Sequence, residues 1–140
     1  MPRMIFVNLP VRDLEGSGAF YRALGGTVNG LFSDEQATCV MFSDTIGVML
    51  LTHDRYSQFT ARPIGDARAH SQALLALSVE TREAVDTAIA AAVAAGGRAD
   101  PNPVQDLGFM YGRSAEDPDG NVWEILWMDP AAAESGPPAG

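Results

Sequence analysis

One order of elements, strand–helix–strand–strand–strand, occurs twice in this chain, and that repeat limits its fold more than any other feature. Residues 4–11, MIFVNLPV, read as a strand. Asp13 is placed to cap a helix over about 14–24, with Leu14, Phe20, Tyr21 and Leu24 on its apolar side. Gly25 and Gly26 end it. Short strands are expected over 27–32, 37–42 and 47–52, with SDEQ and SDTIG as the turns between them. The order then recurs. ALLALSVE (73–80) reads as a strand, Thr81 caps a helix over about 82–95, and Gly96-Gly97 stops it. Val85, Ile89, Ala92 and Val93 line one side of this second helix. Further strands are expected near 98–100, 109–115 and 121–128.

The two copies can be laid over each other. LPV (9–11) matches LSV (77–79) at an offset of 68, and the Gly-Gly pairs match at 71. SDTIGVMLL (43–51) lies over DPDGNVWEI (117–125) at an offset of 74, which sets Leu50 opposite Glu124. The expected architecture is α+β: two βαβββ modules forming a curled mixed sheet around one cavity, with a helix outside each half. The modules cover about 4–52 and 73–128 of a single domain, 1–128. A polar connecting segment, 53–72, is too long for a tight turn and is expected to cover something. The tail, 129–140, lacks a hydrophobic pattern and is expected to be flexible.

Within EDPDGNVWEILWMDP (116–130), Val122, Trp123, Ile125, Leu126, Trp127 and Met128 are apolar at both strand parities. A strand packed on a helix on one face and lining a cup on the other needs this pattern. Glu124 interrupts it. An isolated buried carboxylate costs several kcal/mol, roughly, unless it is paired or protonated. Glu124 is therefore expected either to face the cup and serve a ligand, or to be held structurally by Arg113. Trp123 and Trp127, at the other parity, are expected to pack under a helix.

Composition narrows the classes of function. A net charge of −9 argues against nucleic acid or an anionic membrane surface as partner. All nine basic residues are Arg, so a Schiff-base lysine and a Walker-type phosphate loop are excluded. Lys-free and Ala-rich composition is also what a GC-rich bacterial genome produces. No apolar run has the length of a membrane span and the N-terminus has no signal-peptide layout, so a cytoplasmic protein is expected. The single Cys39 cannot form an internal disulfide, and its neighbours Val40 and Met41 mark it as a small core residue.

LPVRDLEGSGAFYRALGG and AEDPDGNVWEILW resemble the two signature regions of the vicinal oxygen chelate superfamily, which contains glyoxalase I, extradiol dioxygenases, fosfomycin-resistance transferases and bleomycin-resistance proteins. The likeness extends over nearly the whole chain up to Met128. It implies four metal-ligand positions on the cup-facing strands, which fall here on Phe6, Leu50, Leu74 and Glu124. Three of these are apolar and supply no donor to a divalent ion. Asn8 and Ser78 share the expected cup face but are poor replacements for imidazoles. No cofactor is expected.

Two functions follow from this reading. One is a metal-free apolar cavity that sequesters a small organic ligand, lined by Phe6, Met41, Leu50, Leu74 and Tyr111, with Asn8, Ser78, Arg113 and Glu124 as polar contacts. The other is an enzyme: a metal-independent lyase or isomerase with Glu124 as acid or base, or a divergent metal-dependent glyoxalase- or dioxygenase-type protein. For several residues a plainer role stands beside these: Arg113 as a surface residue, Tyr111 as a packing aromatic, Asn8 satisfying a strand edge. His53 and His70 are expected to be solvated loop residues. The resemblance further implies pairing of chains, so a homodimer is expected with the 53–72 segment at or near its interface.

Overall fold

The computed structural model describes residues 1–138 of the chain. In chain order, β1 (Ile5–Val11), α1 (Leu14–Ala23), β2 (Thr27–Asp34), β3 (Ala37–Met41) and β4 (Ile46–Thr52) form the first module, and α2 (His53–Ser57) follows it. β5 (Leu75–Ser78), α3 (Arg82–Ala94), β6 (Arg98–Ala99), β7 (Gln105–Asp106), β8 (Met110–Glu116) and β9 (Val122–Met128) form the second, followed by α4 (Pro130–Ser135). The α+β fold of two βαβββ modules is thus the one the repeat requires. The helix starts are set by short side chains: Asp13 Oδ1 accepts from the Glu15 N–H at 3.1 Å, and Thr81 Oγ1 accepts from the Ala84 N–H at 3.0 Å. Gly25 and Gly96 end the two long helices in the left-handed region, at φ 104° and 100°.

The modules make two separate sheets rather than one. The first has the order β1-β4-β3-β2; the second has the order β5-β9-β8-β6, with β7 also pairing β8. In each, the first and last strands of the module lie side by side and parallel, and the helix is the crossover between outer strands. The ladder between β2 and β3 shifts register between Asn29 and Asp34. Ser33 Oγ fills part of that gap, accepting from the Cys39 N–H at 3.0 Å.

Each sheet carries its helix on one face. The helix-facing side chains of both modules join in one core containing Leu9, Val11, Phe20, Tyr21, Val40, Val48, Leu50, Val85, Ile89, Trp123 and Ile125. The modules are locked together by a buried polar chain. Trp123 Nε1 donates to Tyr21 Oη (2.9 Å), and Tyr21 Oη donates to Asp117 Oδ2 (2.6 Å). Asp117 also accepts from the N–H groups of Asp119 and Asn121 and from the Asn121 amide. Asp119 reaches back to the first module, accepting from the Arg12 backbone and from Ser17 Oγ. The acids of the DPDG turn therefore bind the chain itself. Burial pushes the Asp117 carboxyl above the ordinary Asp range, against the lowering by its hydrogen bonds. Burial and the nearby Asp117 push the Tyr21 hydroxyl well up.

One expectation is corrected. The tail is not without structure: Asp129 caps α4, Pro130 opens it, and Ala132 is buried. Residues 139–140 of that tail lie outside the described residues. The connecting segment begins with a helical turn, α2, capped by Thr52, whose hydroxyl accepts from the Arg55 N–H.

Tyr21→Phe leaves the Trp123 indole N–H unpaired and removes one donor from Asp117. It should cost about 1–3 kcal/mol in urea melts. Asp117→Asn keeps an acceptor for the backbone but turns a donor toward the Asn121 amide, and should cost about 1.5–3 kcal/mol. Because the folded-state value of Asp117 is raised, the native protein binds a proton before the unfolded chain does. Its contribution to stability therefore rises as pH falls from that raised value to the ordinary one, and is lost as pH rises again. Melts across that window should show the gap between wild type and Asp117→Asn widening toward low pH.

Candidate functional site

Alternation along the strands assigns every side chain to the helix face or the bare face. On β4, Val48 and Leu50 point into the core, while Gly47, Met49 and Leu51 point to the bare face. On β1, Phe6 and Asn8 share that bare face; on β3, Ala37, Cys39 and Met41 do. These side chains form the floor of a hollow of about 790 Å³. Met1, Met4, Leu31, Phe32, Phe59 and Arg55 build its rim. Gly47 is necessary here: a Cβ would meet Met41 Sδ at 2.7 Å and the Phe6 ring at 3.0 Å. Its hydrogen lets those two side chains close over the floor.

The polar groups of the hollow are few. Asn29 Oδ1 accepts from the Leu31 N–H at 3.1 Å. Arg55 crosses the rim from α2, donating to Gln36 Oε1 (3.1 Å) and pairing with Asp34 at 3.6 Å. The backbone N–H of Gln36 and the Arg55 guanidinium hold the Asp34 carboxyl below its ordinary range.

Of the residues read from the sequence as cup-facing, Phe6, Asn8 and Met41 line this hollow. Leu50 does not: it is fully buried in the core on the opposite face. The pairings give the reason. Asn8 pairs with Met49, and its counterpart Ala76 pairs with Glu124. The last strands of the two modules therefore correspond at an offset of 75 (124 minus 49) rather than 74, and Met49, not Leu50, is the mate of Glu124. Since GVMLL is apolar at both parities, alternation alone could not reveal the one-residue error.

Glu124 sits on the bare face of the second sheet, between Ala76 and Ser114 on the neighbouring strands. Leu74 and Ser78 share that strand face with Ala76, and Leu74 is 54% exposed. None of these lines the hollow of the first module. Tyr111 and Arg113 lie on the helix face instead, pairing across β8–β9 with Trp127 and Ile125. Tyr111 Oη donates to Asp86 on α3 at 2.6 Å. Arg113 donates to Asp86 at 2.9 Å and to both oxygens of Asp100, at 3.0 and 2.7 Å. Arg82 stacks over the Tyr111 ring at 4.5 Å. Arg113 is thus committed to α3 and cannot hold Glu124, which has no ion-pair or side-chain hydrogen-bond partner among the described residues. No buried side-chain oxygen is left unsatisfied among them, so the Glu124 carboxylate is reached by solvent.

The four positions implied for a metal are, with the corrected register, Phe6, Met49, Leu74 and Glu124. A single carboxylate and a thioether on separate sheets do not fit a family-type divalent centre. Among the described residues no three His, Cys, Asp or Glu side chains come together elsewhere to replace it. His53 and His70 lie in the connecting segment, His70 beside a second groove of about 560 Å³ lined by β1, β5 and residues 65–73. No helix among the described residues is long and apolar enough to cross a membrane.

Comparison with known proteins agrees with this architecture. A hypothetical protein, SA1046 from S. aureus, is 26% identical with a TM-score of 0.74, the match covering 91% of this chain and 94% of that one. A glyoxalase/bleomycin resistance protein/dioxygenase family enzyme from Burkholderia phytofirmans is 24% identical with a TM-score of 0.72, covering 91% and 99%. The fosfomycin resistance protein FosX from Listeria monocytogenes shares the fold at 16% identity and a TM-score of 0.64, covering 91% and 93%. No curated protein matches the sequence. The family description that matches residues 3–125 is Glyoxalase/Bleomycin resistance protein/Dioxygenase superfamily, and the chain belongs to that superfamily.

Proposed function

We propose that the protein binds a small organic ligand in the hollow of its first module and sequesters it without a divalent metal. The observation that carries this reading is the lining: a recess of about 790 Å³ floored by Phe6, Met41, Met49 and Leu51, with Asn8, Asn29, Ser33, Asp34 and Arg55 as its polar residues. Ligand sites of this kind are concave, mostly apolar and oriented by a few polar groups. The adjustable thioethers suit a ligand of irregular shape.

The bare faces also support a homodimer. Phe6, Leu31, Phe32 and Leu74 are 44%, 90%, 67% and 54% exposed, an unusual amount of large apolar surface on a small monomer. A second copy laid face to face would cover it. If the second module of one copy faced the first module of the other, the partner's Glu124 would stand over the hollow. There it would serve as an orienting carboxylate, or as the acid or base of a lyase or isomerase. Its lack of an ion-pair or side-chain hydrogen-bond partner among the described residues favours such a use over a structural one.

Three outcomes test this reading. Nile red, a neutral apolar dye, should brighten on binding the wild type. Met49→Glu, which sets a charge on the floor, should weaken that binding by 1.4 kcal/mol or more, about tenfold; unchanged binding would remove the hollow as the site. Light scattering at micromolar concentration should give twice the 14.8 kDa chain mass, with Leu74→Glu shifted toward the monomer. A wild-type mass of one chain would refute the dimer while leaving the hollow standing. Glu124→Gln should alter urea stability by no more than about 0.5 kcal/mol, as for other unpartnered surface positions. A loss of several kcal/mol would make Glu124 scaffolding.

A further inference from the structure

The chain has seven sulfur atoms, in six Met and one Cys. Five of them, those of Met1, Met4, Cys39, Met41 and Met49, belong to residues lining the one hollow. Three belong to neighbouring residues on its floor. The Cys39 thiol donates to Met41 Sδ at 3.9 Å. Met49 is the direct cross-strand partner of Cys39 on the adjacent strand. All three side chains project to the bare face, and the missing side chain at Gly47 leaves Met41 the room it occupies. An apolar floor needs no sulfur; Leu or Ile would pack there with better-defined rotamers. The floor of the hollow thus groups soft donors, while the one carboxylate among its lining residues, Asp34, is engaged by the Gln36 N–H and Arg55.

We infer that the floor of the hollow is a binding site for a soft monovalent metal ion, copper(I), held by Cys39 Sγ, Met41 Sδ and Met49 Sδ. Thiolate and thioether ligands select Cu(I) over the harder divalent ions. Met1 and Met4, at the rim, supply further thioethers on the path of entry. Binding forms a copper–sulfur bond and breaks the S–H bond, and one proton leaves to solvent for each ion bound. The copper is Cu(I) before and after, so no oxidant or reductant is needed. This site shares Met41 and Met49 with the floor of the organic-ligand hollow, but the two readings are tested apart: failure to bind copper leaves the Nile red result standing, and the reverse also holds.

The test is an anaerobic titration of the full chain with Cu(I) in competition with the chromogenic chelator bicinchoninate. The wild type should withdraw one equivalent per chain. Zinc(II) offered against a matching chelator should not bind. Cys39→Ala and Met49→Leu should each weaken Cu(I) binding at least as much as loss of an outer-shell partner does, roughly 10–100-fold. Because Cys39 is buried and a variant there can fold poorly, a second measurement uses the wild type alone. With Met methyl groups labelled with ¹³C and silver(I) as a redox-inert substitute, Met41 and Met49 should shift while Met110 and Met128 stay in place. The inference is overturned if the wild type takes no copper from the chelator, if both variants bind as tightly as wild type, or if all methionines shift together.

Discussion

The hydrogen-bonded chain from Trp123 through Tyr21 to Asp117 is the interaction on which the rest of the structure depends. It joins a strand and a turn of the second module to the helix of the first, inside a core that is otherwise apolar. A buried carboxylate in such a place is tolerated only when its lone pairs are filled, and Asp117 accepts four hydrogen bonds. The Tyr21 ring packs edge-on against both Phe20 and Trp123, with centroids 5.0 and 5.6 Å apart, so the polar chain and the aromatic packing fix the same side chains. Gly120 completes the turn in the left-handed region, where a Cβ would meet the backbone of Arg68 at 2.9 Å. The connecting segment can thus lie directly on the module junction, with Arg68 donating to the Pro118 carbonyl.

With the helix faces spent on this junction, function is left to the bare faces. They differ in character. The first module presents a recess of thioethers and rings; the second presents Leu74, Ala76, Ser78 and a carboxylate with no side-chain partner among the described residues. Neither resembles the other closely enough to have been reused from the repeat unchanged. The symmetric mates Met49 and Glu124 show how far the two halves have moved apart while their strand pairings stayed equivalent.

Much of this was legible in the sequence, and the failures have physical causes. Asp13, Thr81 and the two Gly-Gly pairs marked the helices within a residue or two, because caps and left-handed stops leave local signals. Trp123 lies under the helices, at the parity read for it. Leu50 was misplaced because a strand apolar on both faces carries no alternation, and only the ladder shows which parity looks inward. Tyr111 and Arg113 were misplaced for a related reason. A polar side chain on a strand suggests an open face, yet here α3 offers Asp86 as a partner and draws both to the helix side. The rim residues Arg55 and Phe59 lie beyond the strands that carry the repeat, so no internal match pointed to them. The short helix α4 was missed because six residues hold too little periodicity to read.

The register shift in β2 has a consequence for how such chains meet. β2 is an outer strand of its sheet, and an outer strand with a full row of free N–H and C=O groups invites any other strand to join it. Between Asn29 and Asp34 its ladder to β3 shifts register, which bends the strand and with it the free row, and Leu31 and Phe32 are exposed there. A bent row is a poor template for growth along the sheet. Open-ended stacking of one chain beside the next along this edge is thereby discouraged.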